Sequence, residues 1–317
     1  ILFVDKQKPE ILFRSPAAGT VREVVRGERR VIQRVIIDVA GDTAEKFDSY
    51  TADQVNAFST SQAKELLLNS GLWPAIRQRP FSKIADVEAS PKAIIISAVD
   101  SAPLQAESDI LLDGQEKTFQ LGIQLLSKLT EGKIRLSVSE KTKAFFSNIS
   151  GVELHEFSGP PPAGNVGVQI HHIDRIQAPE KVWYLSPRHV SQLGSFLSTG
   201  EYPGSKTYAL TGSELEKRYY VIGTEGALVS DLVSTTLQNN TQRVISGNVL
   251  TGAKSSSLGF VGFYDDMITV VPELEGRRFF GWLRLGLQAN SFWPMFLSKL
   301  TPKKKLAPTT DMNGEER

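Results

Sequence analysis

A chain of 317 residues with 40% hydrophobic and 22% charged side chains is ordinary globular material, long enough for about two or three domains. Lys plus Arg number 36 against 35 Asp plus Glu, a net charge of +1, so no global field recruits nucleic acid. The count of zero cysteines excludes disulfides, thiolate zinc sites, cysteine-held iron–sulfur clusters and a cysteine nucleophile within these residues, and no run approaches the roughly 18 to 20 apolar residues of a membrane helix.

In chain order, short apolar runs at 1–4, 11–13, 21–25 and 31–39 are separated by turn-rich Lys6-Gln7-Lys8-Pro9 and Pro16-Ala17-Ala18-Gly19, which predicts hairpins. Thr60 or Ser61 is placed to cap a helix carrying Leu66, Leu67 and Leu68 that Gly71 stops. Residues 93–98 read as a buried strand. Phe119, Ile123, Leu126 and Leu129 recur at helical spacing up to Gly132, and 134–138 reads as a second strand. After 154–157 and a proline-rich turn, Pro162 is placed to open a short helix. Residues 182–185 form another strand, and Ser186-Pro187 supplies a cap and first-position proline for a helix through Val190, Leu193, Phe196 and Leu197, closed by Gly200. Strands alternating with helices argue a mostly parallel sheet, so residues 43–205 are expected to be a Rossmann-like α/β domain. The texture then changes. Strands at 208–210, 219–222 and 244–250, with Gly223-Thr224-Glu225-Gly226 leading into a helical turn through Leu228, Leu232 and Val233, fit a small β-grasp domain over 206–257. Residues 258–317 continue with apolar runs and a Pro302-Lys303-Lys304-Lys305 segment.

Several features carry no defined chemistry. Gly159, Gly164 and Gly167 match neither G-x-G-x-x-G nor a P-loop, so a tight turn is the better reading. His155, His171 and His172 are potential ligands, but adjacent histidines are expected to point apart and not to share one metal. No Ser-His-Asp order is defensible, and Asp265-Asp266 reads as a solvated loop. Trp293-Pro294-Met295-Phe296 followed by three lysines fits either an anionic membrane surface or a linker.

Residues 157–174 run Phe-Ser-Gly, three prolines, Ala163, Gly164, then Gly167 and Ile170-His171-His172-Ile173-Asp174. This segment resembles the Phe-Ser-Gly-x-x-Pro-Ala-Gly-x-x-Gly-x-x-Ile-His block of the NqrA family, whose members are subunits of the Na+-translocating NADH:quinone oxidoreductase. Further blocks keep the order of that family: Ser15 to Val21, Arg26 to Val31, Ser70-Gly71-Leu72-Trp73, Arg79-Pro80-Phe81-Ser82-Lys83, Asp100 to Leu104, Leu129 to Lys133, Arg243 to Gly247, Phe280-Gly281-Trp282-Leu283 and Asn313-Gly314. The chain departs from the family at Pro161 and Gln169, where histidine is usual. Relative to the family, a fragment is expected, lacking part of the N-terminus and a C-terminal helical domain.

The resemblance implies a multidomain α/β plus β architecture. Residues 1–42 would be half of a barrel-sandwich hybrid, related to biotinyl and lipoyl carriers although no modified lysine sits at the 6–10 tip. Residues 43–205 would be the Rossmann-like domain, 206–257 the soluble-ligand-binding β-grasp domain, and 258–317 an extension. It implies a peripheral subunit at the cytoplasmic face of the bacterial inner membrane, in a complex that oxidises NADH, reduces ubiquinone and exports Na+. Its partners would be the other Nqr subunits, notably the membrane-embedded NqrB, and ubiquinone, with no nucleic acid. NAD, FMN or FAD and Fe–S clusters would belong to the complex and none to this chain. The Rossmann-like region is also similar to the flavin-carrying subunit of respiratory complex I, but here Trp73-Pro74-Ala75-Ile76-Arg77-Gln78-Arg79 replaces the glycine-rich loop that lets backbone approach a flavin, so neither FMN nor NADH is expected to bind. That loop is instead the candidate quinone site. Arg77, Arg79 and Lys83 offer charge-assisted donors to a carbonyl, Phe81 an aromatic face, and His171 a proton donor nearby. The rival readings are that these arginines bridge to a neighbouring subunit in a purely structural protein, that the chain is a stand-alone dinucleotide oxidoreductase, or that it is the ferredoxin-linked Rnf relative, which cysteine-ligated clusters would mark.

Overall fold

In the computed structural model, which describes residues 1–233, 242–273, 285 and 297–300, the chain divides into two units, Ile1–Lys206 and Thr207–Arg317. The first opens with two antiparallel hairpins, β1 (Phe3–Asp5) with β2 (Lys8–Phe13) and β3 (Gly19–Arg26) with β4 (Ile32–Val39), at the four apolar runs of the sequence. Ile11 of β2 joins the main core and Lys8 pairs with Asp86 at 2.8 Å, which ties the first hairpin down. The β3–β4 ribbon is largely exposed.

Two helices follow, α1 (Ala52–Asn56) and α2 (Thr60–Ser70). The cap of α2 is Ser59, one position earlier than expected. Its hydroxyl accepts from Gln62 N at 3.2 Å while Gln62 Oε1 accepts from Ser59 N at 2.9 Å, a reciprocal box that requires Gln three positions on. Gly71, with φ 75°, ends the helix.

The central sheet is built from β5 (Arg77–Arg79), β6 (Lys83–Ile84), β7 (Ala93–Ala98), β8 (Lys133–Val138), β9 (Glu153–Glu156) and β10 (Val182–Leu185), in the order β6-β5-β10-β7-β8-β9. β10, β7, β8 and β9 are parallel; β5 and β6 add an antiparallel edge. Between these strands lie α3 (Ser108–Leu111), α4 (Glu116–Leu126), α5 (Lys143–Phe146) and α6 (Val166–Ile173), and α7 (Pro187–Thr199) follows the last of them. α4 and α7 share the main core through Phe119, Ile123, Val190, Leu193 and Phe196. Their backbones nearly touch: a Cβ on Gly194 would sit 1.7 Å from Thr118 O, and one on Gly122 2.0 Å from Val190 O. Ser186 caps α7, with Pro187 in the first turn and Gly200 at φ 67° behind it.

α6 covers the other side, with Ile170 against Ile95 and Val182. It starts at Val166 and not at Pro162. Asn165 Oδ1 accepts from Gly167 N at 2.8 Å, and the prolines before it form turns, Ala163 N to Pro160 O at 3.0 Å and Asn165 N to Pro162 O at 2.8 Å. An Asx cap three residues on outcompetes proline at the first helical position here.

The second unit carries a five-stranded sheet, β12 (Tyr219–Thr224), β11 (Ser205–Thr211), β15 (Met267–Pro272), β13 (Gln242–Ser246) and β14 (Ala253–Ser255), in that spatial order, with the single turn α8 (Val229–Leu232). Tyr208, Val229, Val244, Ile268 and Val270 form its core. This sheet extends beyond residue 257, where the sequence pattern ends the small domain, because β15 lies at its centre, parallel to β11 and antiparallel to β13. Asp265 is also not a merely solvated loop residue: its Oδ2 accepts from Ser246 Oγ at 2.6 Å, and that hydroxyl accepts from Gly262 N at 2.9 Å. The blocks at 280–283, 293–296, 303–305 and 313–314 lie outside the described residues.

Candidate functional site

The Arg77-Gln78-Arg79 alternation decides which face each side chain takes. Across to β10, Arg77 stands opposite Tyr184, Gln78 opposite Trp183 and Arg79 opposite Val182; across to β6, Arg77 faces Ile84 and Gln78 faces Lys83. Gln78 is buried on the core side, accepting from Trp183 Nε1 at 3.2 Å, where Trp183 meets Trp73 edge to face. Arg77 and Arg79 therefore share the α6 side. Lys83, partnered with Gln78, falls on the opposite face, so the structure does not bring all three cations together.

Arg79 Nη2 lies against Gly167, where an added Cβ would be 2.5 Å away. Since Gly167 and His171 are four apart on α6, both lie on one stripe of that helix, and Arg79 sits at the start of the stripe that His171 continues one turn later. His171 and His172 are both exposed, and their rings meet edge to face with centroids 5.5 Å apart, not pointing away from each other as expected. Rotation about their flexible χ angles allows this even though their Cα–Cβ vectors diverge.

Arg77 is turned to its own hairpin. Its guanidinium donates to Ser82 O and lies 5.8 Å from the centre of the Tyr184 ring, and Ser82 Oγ is hydrogen-bonded to the Tyr184 hydroxyl. These bonds hold Phe81 and Ser82 at φ 76° and 53°, a left-handed conformation that non-glycine residues adopt at a cost of about 1 to 3 kcal/mol each. Phe81 is 87% exposed at the tip. The clamped turn thus presents an aromatic ring outward and holds Arg77 against Ser82 and Tyr184.

The Trp73–Ile76 segment is packed inward: Trp73, Pro74, Ala75 and Ile76 are buried, Trp73 and Ile76 belong to the main core, and Trp73 Nε1 donates to Ala85 O at 2.9 Å. Among the described residues, no group of three or more His, Asp or Glu is placed to hold a metal ion, and no helix is long and apolar enough to cross a membrane.

One buried ionisable group is missed by sequence reasoning. His189, in the first turn of α7, has Nδ1 2.8 Å from Ser186 Oγ and accepts from Arg188 Nη2 at 2.7 Å. Burial, with the positive charges of Arg188, Lys206 and Arg77, drives its pKa well below the usual value and keeps the ring neutral. A signal exists: Arg and His follow the carboxyl end of a parallel strand, where such sheets gather ligand-facing groups. Asp100, just past β7 and exposed by surface area although protein atoms surround its carboxyl, has its pKa raised by that desolvation against opposing bonds from the Ala102 and Ser101 amides. There Gly164 N donates to Ser101 Oγ at 2.8 Å, joining two of the family-like sequence blocks. A cavity of about 560 Å³ lies elsewhere, at the amino ends of β7, β8 and β10, lined by Pro91, Lys92, Glu131, Pro179, Glu180 and Lys181. Lys92 is already engaged with Asp174 at 2.8 Å and Glu180 at 3.0 Å, which lowers the pKa of Asp174 and marks a structural cluster.

This architecture, a β N-terminus followed by an α/β domain and a second sheet, with an exposed clamped turn at the β5–β6 tip, is that of a multidomain α/β protein. The family descriptions agree in order: "NqrA N-terminal barrel-sandwich hybrid domain" matches residues 1–40, "NqrA second alpha/beta domain" 58–202 and "NQRA C-terminal domain" 207–257. The chain is 36% identical over 318 residues to the NqrA subunit of the Na(+)-translocating NADH-quinone reductase of Marinomonas sp., covering 100% of this chain and 71% of that protein. The same values hold for the NqrA subunit of Pasteurella multocida, and 37% over 317 residues for that of Pseudomonas aeruginosa (strain UCBPP-PA14), with the same coverage. The chain belongs to the NqrA family. Its fold is also similar to a chain of a NAD+-reducing [NiFe]-hydrogenase in the air-oxidized state, with TM-score 0.50 and 13% identity, covering 73% of this chain and half (50%) of that one.

Proposed function

We propose that the chain works as a peripheral subunit of a Na+-translocating NADH:ubiquinone reductase, at the cytoplasmic face of the bacterial inner membrane. It scaffolds the assembly, docks on the other Nqr subunits, the membrane-embedded NqrB above all, and contributes to ubiquinone binding. The isolated chain performs no catalysis and holds no flavin or iron–sulfur cluster; NADH oxidation, electron carriage and Na+ passage reside in its partners. Within it, residues 43–205 act as a Rossmann-like scaffold that has lost its cofactor, and the second sheet as a β-grasp module.

The observation that carries the quinone role is the β5–β6 tip. Strained backbone persists only where surroundings enforce it, and here the enforcing bonds serve to hold Phe81 in solvent. An exposed ring two positions along the chain from Arg79, with His171 further along α6, suits a quinone head group, which stacks on an aromatic face and accepts hydrogen bonds at its carbonyls. The competing reading is a purely structural protein. The engagement of Arg77 with Ser82 and Tyr184 favours it, since that guanidinium serves the fold.

Photo-crosslinking the intact membrane complex with a quinone analogue separates the two. Label on residues 76–83 that excess ubiquinone competes away supports the quinone role. Strong competable label on the membrane-embedded subunits with none on this chain makes it a scaffold.

A further inference from the structure

Helix α6 lies over a sheet face that is polar toward β8 and β9. Side chains two apart on a strand share a face, and in-register neighbours on adjoining strands, about 4.8 Å apart, do too. Ser97 is in register with Ser137, and Ser137 with His155, while Ile95 on the same face packs on Ile170 of α6. A right-handed helix sets Gln169 about 100° behind Ile170. With Ile170 on the β7 and β10 side and Gly167 toward Arg79 of β5, Gln169 is left on the side toward β8.

Gln169 and Ser137 are both 0% exposed. Gln169 Oε1, Ser137 Oγ and His155 Nε2 are buried atoms without a hydrogen-bond partner in the protein. Glu153 Oε2 stands 3.6 Å from the imidazole Nε2, beyond hydrogen-bond range. The surrounding polar groups are already committed. Gln169 Nε2 donates to Ala163 O at 3.3 Å, Ser97 Oγ turns to Val99 O at 3.3 Å, and Arg135 spans Glu153 at 3.4 Å and Asp174 at 3.1 Å. Three orphaned atoms, from β8, β9 and α6, thus belong to the compartment between α6 and the sheet face it covers. Native interiors leave few such atoms unsatisfied, and a buried water typically serves two to four of them.

We propose that this compartment is a hydration site in which one bound water bridges Ser137 Oγ, Gln169 Oε1 and the His155 ring. The water donates to the Gln169 carbonyl oxygen, accepts from the Ser137 hydroxyl and completes its coordination at Nε2, a set that matches the donor and acceptor capacity of each group. It joins α6 to the sheet, and Gln169 is thereby a positioning residue for the helix that meets Arg79 and carries His171. Glutamine suits the role because its nitrogen and oxygen serve Ala163 and the water at once.

The first test is a crystal structure of the full chain at a resolution where ordered water is placed. A density peak within hydrogen-bond range of Ser137 Oγ and Gln169 Oε1 is expected; those atoms bonded directly to protein groups, with no peak, would overturn the proposal. The second is a thermal double-mutant cycle with Ser137→Ala and Gln169→Met. Each single substitution is expected to lower Tm by about 2 to 4 °C for a unit of this size, and the double no further than the worse single, because losing one anchor releases the water. Additive losses would show that the two residues share no guest. If a variant fails to fold, the density of the unsubstituted chain decides.

Discussion

The Arg79 guanidinium occupies the space that a side chain at position 167 would take: a Cβ there would lie 2.5 Å from Arg79 Nη2. The obstructing atom is the far end of a flexible chain, so Gly167→Ala moves the arginine and not the backbone. Stability should stay within about 1 kcal/mol of the parent, since alanine is favoured over glycine in a helix by roughly that amount. Competable quinone-analogue labelling of residues 76–83 should fall in the same variant. Urea unfolding checks the first half, and peptide mapping of the labelled complex the second.

Gly194→Ala meets a different obstacle, the backbone oxygen of Thr118 at 1.7 Å. α4 and α7 must then separate, and overpacking of this kind typically costs about 1 to 3 kcal/mol. Chemical denaturation should show that loss, with a larger effect than Gly167→Ala despite the same added methyl.

His189 makes the first unit acid-sensitive. Its folded pKa is depressed well below 6.5 by burial and neighbouring positive charge, so on acidification the unfolded chain takes up the proton first. More protons on the unfolded state means that stability falls as pH drops below about 6.5, and continues to fall until the folded value is reached. His189→Gln should flatten that part of the stability–pH curve while lowering stability at neutral pH. An unchanged slope between about pH 6.5 and 5 in the variant would sink the assignment.

Glu273 works at lower pH. Arg243 holds it at 2.6 Å, with Lys254 at 3.1 Å, and its pKa is brought from 4.5 down to about 2. A depressed carboxylate contributes stability that is whole above 4.5 and lost as pH falls through about 2. Glu273→Gln should destabilise the chain by about 1 kcal/mol at neutral pH, since both cations are partly exposed and screened. The difference from the parent should shrink on titration from pH 4.5 to 2.

At Gly71, Ser186 and Gly200 the reading of the sequence and the structure agree, whereas at Thr60, Ser61 and Pro162 they differ. Ser186-Pro187 and Gly200 bracket α7, and the Ile-rich run at 93–98 is β7 because a strand covered on both faces needs no alternation. β15 is harder: Met267 to Val271 is equally apolar and buried, yet too short to be told from a helical segment by periodicity. For the candidate site, Arg77, Arg79 and Phe81 are visible in the sequence as a cluster of types. Their arrangement is not, because it is set by distant partners: Tyr184 binds Ser82 across 102 positions, and Gly167 receives Arg79. Only the strand register reveals that Lys83 faces the other way. The blocks at 100–104 and 157–174 are separate in the sequence, and the Ser101–Gly164 bond that unites them belongs to tertiary structure alone.

Strand order also governs how this protein is made. β10 is the last strand of the first sheet to be synthesised, yet it sits between β5 and β7 and pairs with both. Until Val182–Leu185 leaves the ribosome, β5 and β7 each present a row of unpaired backbone amides and carbonyls, and the apolar β7 is the more adhesive of the two. The nascent chain therefore passes through a long stage in which the strand that joins the two halves of the sheet is missing, and chaperone occupancy on the ribosome should persist until β10 and α7 emerge and close the sheet in one step.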